Sequence, residues 1–126
     1  MPPGGKCLRS VHFQSEDEDG DIAKTRECLF HALDLSEDER GLVSERVLIK
    51  TEKELTGDRF LADMAAEAKR HKADIVWVNP LQAFMDGDIK DARDVKLFAR
   101  TGLNRANRDQ RWAYMLVHHT PKPATS

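Results

Sequence analysis

Two short apolar runs that end in polar residues constrain the fold of this chain more than any other feature. The first run covers 73–79 and stops at Pro80, and the second covers 112–117 and is followed by paired histidines. Short runs rich in β-branched and aromatic residues are typical of buried strands. Proline cannot extend a β-ladder, so the first strand ends there. Both predicted strands therefore carry chemically capable side chains at their carboxyl ends.

Further strands and helices are predicted between and around these two strands. Strands are predicted from alternation at 8–14 and from a β-branched run at 46–51. Helices are predicted from their caps and apolar stripes. The segment 81–87 is predicted to be a loop. The tail at 121–126 cannot be a helix. The predicted helices begin at Asp21, at Ser36 as a short acidic turn, at Thr56 or Asp58, and at Asp88 or Asp91 as a long basic helix reaching Ala106.

The resulting order of elements, β-α-β-α-β-α-β, predicts an α/β fold. Strands that alternate with helices favour right-handed crossovers between parallel strands. We therefore expect a three-layer structure in which a mostly parallel sheet of about four strands has helices on both faces. The length of 126 residues fits one domain at 1–126. We expect 1–7 and 121–126 to be flexible ends of that domain.

The composition excludes several classes of protein. The chain is 40% hydrophobic and 33% charged, which is ordinary for a globular domain, and no apolar run approaches the roughly 20 residues that a membrane span needs. No apolar leader follows Met1, and Cys7 and Cys28 form neither a metal motif nor a disulfide framework. These features predict a cytoplasmic protein without a membrane partner.

Charge is unevenly distributed along the chain. Ten acids accompany three bases in 16–40, whereas seven bases accompany three acids in 90–111. The simpler interpretation is two solvated helix faces; the alternative is that the basic segment contacts a nucleic acid or an acidic neighbouring subunit. The formal net charge of −2 argues against a dedicated, strongly basic nucleic-acid binder.

In a parallel sheet, the residues that follow each strand meet at one edge, where ligands bind. Carboxylates, an amide, imidazoles and a lysine at one edge can bind a metal-bound phosphate or activate a water beside it. The residues in question are Glu16 and Asp17 after the first strand, Thr51 and Glu52 after the second, Asn79 after the third, and His118, His119 and Lys122 after the fourth.

Each of these residues also has a structural interpretation. Glu16 can belong to a solvated acidic loop, Asn79 can cap the turn at Pro80, and one of the paired histidines can be buried and satisfied, because strand neighbours point to opposite faces. A zinc site lacks the usual ligand spacing. The chain also contains no G-x-x-x-x-G-K-S/T motif, since the segment 3–7 has neither the loop length nor the hydroxyl after its lysine.

Three segments of the chain resemble motifs of the RecA-like AAA-type ATPases. The segment 11–18 resembles a strand that ends in a small residue and Glu-Asp, 75–84 resembles the Walker B strand and its loop, and 115–122 resembles a sensor strand with paired histidines and a following lysine. The relatives that these segments resemble most are the hexameric plasmid replicative helicase RepA and its phage and bacterial cousins. The resemblance extends over about 8–122.

This resemblance implies a role for each matching residue. Glu16 corresponds to the glutamate that polarises the attacking water, and Asn79 to the Walker B residue that supports Mg²⁺ through a water, with Asp17 as a second metal-side candidate. His118 and His119 correspond to the γ-phosphate sensor, which couples hydrolysis to neighbouring subunits. Lys122 lies near a position that contacts the nucleotide or an adjoining protomer.

Two departures from the family qualify that expectation. Asn79 is neutral where the family has a carboxylate, so support of Mg²⁺ should be weaker. The P-loop strand that the family places beside the strand ending in His118 is not in this sequence, so we expect that strand to be an exposed edge.

The resemblance therefore implies a partial RecA-like P-loop NTPase core. We expect the central part of an ATPase module linked to DNA replication or helicase-type work, with ATP and Mg²⁺ as cofactors, a homo-oligomeric ring and DNA as partners, and little activity alone. One alternative is a non-enzymatic DNA- or protein-interaction module using the basic helix at 90–111. Another is a metal-dependent hydrolytic site formed by Glu16, Asp17, His118 and His119.

Overall fold

The computed structural model describes residues 8–16, 19–109 and 111–118, and in them it confirms the predicted α/β fold. The strands are β1 (Ser10–Gln14), β2 (Val47–Thr51), β3 (Ile75–Asn79) and β4 (Ala113–Leu116). The helices are α1 (Asp19–Ala32), α2 (Glu37–Arg46), α3 (Gly57–His71), α4 (Leu81–Phe84), α5 (Ala92–Val95) and α6 (Leu103–Ala106), with a π-helical segment (Lys96–Gly102) between α5 and α6. No helix in these described ranges is both long and apolar enough to cross a bilayer.

The four strands are all parallel and lie in the order β2-β1-β3-β4. Within the described residues β4 pairs with β3 alone, so it forms an edge of the sheet, as expected from the sequence. The backbone N–H groups of Ala113 and Val117 donate to Asp74 and Val78 on the β3 side. Because successive residues of a strand direct their backbone groups to opposite sides, those of residues 114 and 116 face the open edge.

One face of the sheet carries the hydrophobic core. Val11, Phe13, Val76 and Val78, at alternate positions of β1 and β3, are completely buried. Helix α3 covers them with an apolar stripe whose central residue is Phe60. The Phe60 ring lies 5.4 Å from the Phe13 ring, 4.2 Å from that of Phe84 and 6.4 Å from that of Phe98, measured between centroids.

The opposite face of the sheet is less completely covered. His12 and Trp77 are only half-buried there, and Ile49 and Met115 are 39% and 46% exposed. Helix α1 lies over this face across a cavity of about 820 Å³. The prediction of helices on both faces is therefore confirmed. Of the two strands predicted to be buried, β3 buries Val76 and Val78 against the core, whereas β4 is largely exposed because it lies at the edge of the sheet, so the expectation of a buried strand is wrong for β4.

Local chemistry explains where the helices begin. Ser36 and Glu39 form a reciprocal capping box, and the acidic first turn of α2 favours the helix N-terminus, so the predicted short turn extends to a ten-residue helix. Asp91 caps α5 by accepting from the backbone N–H of Arg93. Thr56 occupies the N-cap position of α3 without a capping hydrogen bond, and its hydroxyl donates to Asp86 instead.

The segment at 81–87, predicted to be a loop, contains the single turn α4. Leu81 and Phe84 bury their side chains in the core, and the backbone N–H of Leu81 donates to Val117 at 2.7 Å. Burial of these two side chains and this backbone contact explain why a short helix replaces the predicted irregular loop, since tertiary packing overrides weak local propensity.

Replacing a leucine by alanine should have different effects in the core and at the exposed position that follows α1. Leu103 in α6 is 1% exposed, whereas Leu33 after α1 is 66% exposed. Leu103→Ala should lower the free energy of unfolding by about 2–5 kcal/mol, because it leaves a cavity. Leu33→Ala should change it by no more than about 0.5 kcal/mol. Urea unfolding followed by circular dichroism measures both, and equal losses would contradict this description of the core.

Candidate functional site

Three strands end at the same level on the carboxyl edge of the sheet. Gln14, the last residue of β1, is the register partner of Thr51 in β2 and of Asn79 in β3. Paired residues of neighbouring strands project from the same face. The register thus places two amides and a hydroxyl in one row at the edge where parallel α/β sheets bind ligands.

Gln14 organises this row through its own hydrogen bonds. Its Nε2 donates to the hydroxyl of Thr51 at 2.6 Å, and its Oε1 accepts from the backbone N–H of Glu16 at 3.0 Å. Its backbone carbonyl also accepts from the N–H of Glu52 at 2.8 Å. Gln14 therefore links the end of β2 to the turn that carries Glu16. Sequence reasoning did not select Gln14, although its place at the end of a strand was the available signal.

Glu16 and Asn79 line the same cavity, the space of about 820 Å³ beneath α1. Glu16 is exposed to solvent, whereas Asn79 is half-buried at the end of β3. The Oδ1 atom of Asn79 is buried and accepts no hydrogen bond from any described residue. A buried amide oxygen normally has a donor, so this atom is suited to accept from a water or a ligand.

Asn79 fits a water-mediated metal site better than direct coordination. Mg²⁺ retains several waters when it binds to proteins, and an amide oxygen can accept a hydrogen bond from one of them. In the described parts of the chain, no three His, Cys, Asp or Glu side chains converge as metal ligands. Asp17, the second predicted metal-side residue, lies outside the described residues.

His118 follows the edge strand β4. Backbone hydrogen bonds from Val117 to Val78 and from Leu81 to Val117, of 2.9 and 2.7 Å, hold this end of the chain beside β3. The His118 side chain is exposed and does not line the cavity that Glu16 and Asn79 share. His119 and Lys122 lie outside the described residues, so of the residues to which the family resemblance gives a role, the structure brings together Glu16 and Asn79.

The floor of the cavity is an aromatic pair that the sequence did not suggest. The rings of His12 and Trp77 stack with centroids 5.3 Å apart and planes 9° from parallel, and Ser10 Oγ lies 3.1 Å from His12 Nε2. Burial lowers the pKa of His12, because the charged imidazolium loses hydration there. Alternation along the strands was the signal that could have identified this pair. His12 and Trp77 each lie between two fully buried residues of their strand, so they face the opposite side of the sheet.

Comparison with known families gives a match over nearly the whole chain. A family model described as "AAA domain" matches residues 2–125, a range that includes all four strands. The all-parallel sheet with its flanking helices is consistent with a P-loop NTPase-like core. No curated protein matches the chain.

The lowered pKa of His12 predicts a specific pH dependence of stability. In the unfolded chain His12 takes up a proton as the pH falls through about 6.5, whereas the folded protein resists protonation. Stability should therefore decrease as the pH falls below about 6.5, and His12→Gln should weaken that decrease. Urea unfolding between about pH 7.5 and 5.5 measures the effect, with His31→Gln, at an exposed position of α1, as the matched control. A wild-type slope in His12→Gln would refute the assignment.

Proposed function

The chain belongs to the AAA domain family, and on this premise we propose that it is the central part of a RecA-like ATPase module of the RepA replicative-helicase type. The proposed reaction is attack of water on the γ-phosphate of ATP, linked to DNA replication or helicase-type work. The observation that supports it best is that Glu16, just after β1, and Asn79, at the end of the neighbouring strand β3, line one cavity at the carboxyl edge of the sheet.

Glu16 is proposed to orient and polarise the attacking water. A carboxylate at the mouth of a cavity can accept a hydrogen bond from a water and direct its lone pair toward phosphorus. The contact between Gln14 Oε1 and the backbone of Glu16 holds the start of this turn relative to β2. Such support matters because a misplaced nucleophilic water loses most of its catalytic advantage.

Asn79 is proposed to hold a water of the Mg²⁺ that accompanies ATP. When bound, that ion would neutralise charge on the phosphates. The buried Oδ1 of Asn79, which has no donor among the described residues, can accept from a metal-bound water, but the neutral amide adds no charge. His118 and His119 are proposed to sense the γ-phosphate, and Lys122 to contact the nucleotide or an adjoining protomer.

The sequence offers no recognisable motif for binding the phosphates of ATP. Phosphates are usually cradled by backbone N–H groups and a lysine of a glycine-rich loop, and the 126 residues contain no G-x-x-x-x-G-K-S/T motif. We therefore propose that these residues alone bind ATP weakly. A homo-oligomeric ring, a DNA partner and a cytoplasmic location complete the proposal, and all three come from the family resemblance or the composition.

The role of Glu16 predicts a loss of turnover without loss of binding. The assay supplies the P-loop by fusing the chain to a P-loop segment taken from another member of the AAA domain family. Glu16→Gln should lower kcat for ATP hydrolysis by about 100-fold or more, because the amide cannot polarise the water, while nucleotide affinity changes little. Phosphate release measures turnover and calorimetry measures binding.

The matched control for this substitution is Glu52→Gln. Glu52 follows the neighbouring strand at the same edge, but its carboxylate accepts from the backbone N–H groups of Glu54 and Leu55, which a glutamine can also do. This control should retain wild-type turnover. Unchanged hydrolysis in Glu16→Gln would show that another residue polarises the water.

The neutrality of Asn79 predicts a gain of function. Asn79→Asp adds a negative charge beside the proposed metal-bound water, and a charge-assisted hydrogen bond is about twice as strong as a neutral one. The Mg²⁺ concentration for half-maximal ATP binding should fall about fivefold. Asn104→Asp, at an exposed position in α6, should have no effect. If the midpoint does not move in Asn79→Asp, Asn79 does not support the metal.

A further inference from the structure

A basic groove lies at the amino edge of the sheet, opposite the candidate site. Its first concavity, of about 260 Å³, is lined by Lys69 near the end of α3 and by Arg105, Arg108 and Arg111 around the turn into β4. A second concavity of about 700 Å³ shares Arg108 and Arg111 with the first and continues along β4. The two adjoining concavities together form one groove.

The groove differs from the basic segment noted in the sequence. Only the end of the 90–111 segment lines it, and Lys69 comes from another helix that lies more than thirty residues earlier in the chain. Because β3 and β4 are parallel, their first residues meet at this edge. The groove is therefore about one strand length, roughly 16 Å, from Glu16 and Asn79.

The side chain of Asn107 links residues on both sides of the groove's turn. Its Nδ2 donates to the carbonyl of Trp112 at 2.7 Å, and its Oδ1 accepts from the backbone N–H of Arg111 at 2.9 Å. Trp112 is buried beneath the turn, and the hydroxyl of Tyr114 donates to Leu103 at 2.7 Å. Asn107 thus connects Arg111 and Trp112 to the end of α6.

The charge in this groove is largely uncompensated. All four bases are exposed, and among the described residues Lys69, Arg105 and Arg108 form no ion pair. Arg111 lies 3.5 Å from Asp109, and both side chains are more than half exposed, so that pair is weak and easily exchanged for another anion. Four cations and one carboxylate leave a local excess of about three positive charges.

We propose that this groove binds the phosphodiester backbone of a nucleic acid. Arginine forks match phosphate oxygens bidentately, and a row of bases along a groove suits a ligand with regularly spaced charges. An acidic protein is a poorer fit, because protein interfaces need an apolar centre and the first concavity offers only Ala106 and the buried Trp112. The inference does not depend on ATP hydrolysis.

The salt dependence of binding tests the proposal. The 126-residue chain is titrated into a labelled single-stranded oligonucleotide of about 16 nucleotides, and binding is followed by fluorescence anisotropy. Four phosphate contacts predict a slope of log K against log salt of about −2.8, which is about a 50-fold loss of affinity between about 50 and 200 mM salt. A duplex of the same sequence should give a slope of about −3.6.

Matched variants locate the binding surface. Arg105→Ala combined with Arg108→Ala should halve the single-strand slope to about −1.4, and Lys69→Ala, on a different helix, should reduce it by about 0.7. Arg93→Ala combined with Lys96→Ala removes two exposed bases of the same segment that do not line the groove, and it should leave the slope unchanged. Circular dichroism verifies that all variants fold.

Three results would overturn the proposal. The first is the absence of binding to either oligonucleotide at about 50 mM salt. The second is an equal reduction of the slope by the groove variants and the control variants. That result would mean that nucleic acid binds non-specifically to the exposed positive charge of the protein and not to the groove. The third is binding of polyglutamate but not of nucleic acid, which would assign the groove to an acidic protein. Tighter binding of the single strand or of the duplex identifies which form is the ligand.

Discussion

The packing of Phe60 against one face of the parallel sheet is the interaction on which the rest of this structure depends. Its ring contacts Phe13 of β1, Phe84 of α4 and Phe98 of the π-helical segment. Those contacts connect parts of the chain that are far apart in sequence. A parallel sheet cannot be stable alone, because its strands need long connections and a covered face. The aromatic cluster supplies that cover together with the other apolar residues of the core.

The two faces of the sheet differ because only one of them is packed in this way. The core face is packed with fully buried apolar side chains, whereas the other holds the His12–Trp77 stack, a large cavity and a helix, α1, that lies over it without sealing it. The open cavity leaves Glu16 and the oxygen of Asn79 at its boundary. A face packed as tightly as the core would leave no space for a ligand at the same place. Incomplete burial is thus part of what makes the candidate site accessible.

The two edges of the sheet have different chemistry. The carboxyl edge carries a carboxylate and amides organised by Gln14, whereas the amino edge carries arginines on a turn held by Asn107. The strands between them are four or five residues long, so the two regions lie at opposite ends of the same sheet.

The sequence alone determined the alternation of strands and helices, the parallel sheet, the end of β3 at Pro80 and the open edge at β4, because these follow from local periodicity, from the chemistry of proline and from the family resemblance. It also indicated Glu16 and Asn79, since both follow strands. It could not identify the covered face, because alternation divides a strand into two faces without ranking them. Only the tertiary structure showed that α4 replaces a loop, that Gln14 links Thr51 to Glu16 and that Lys69 joins the arginines of a distant turn. Those features depend on register and on long-range packing. Both bring together residues that are far apart in the sequence, and no local pattern around such residues predicts that they meet.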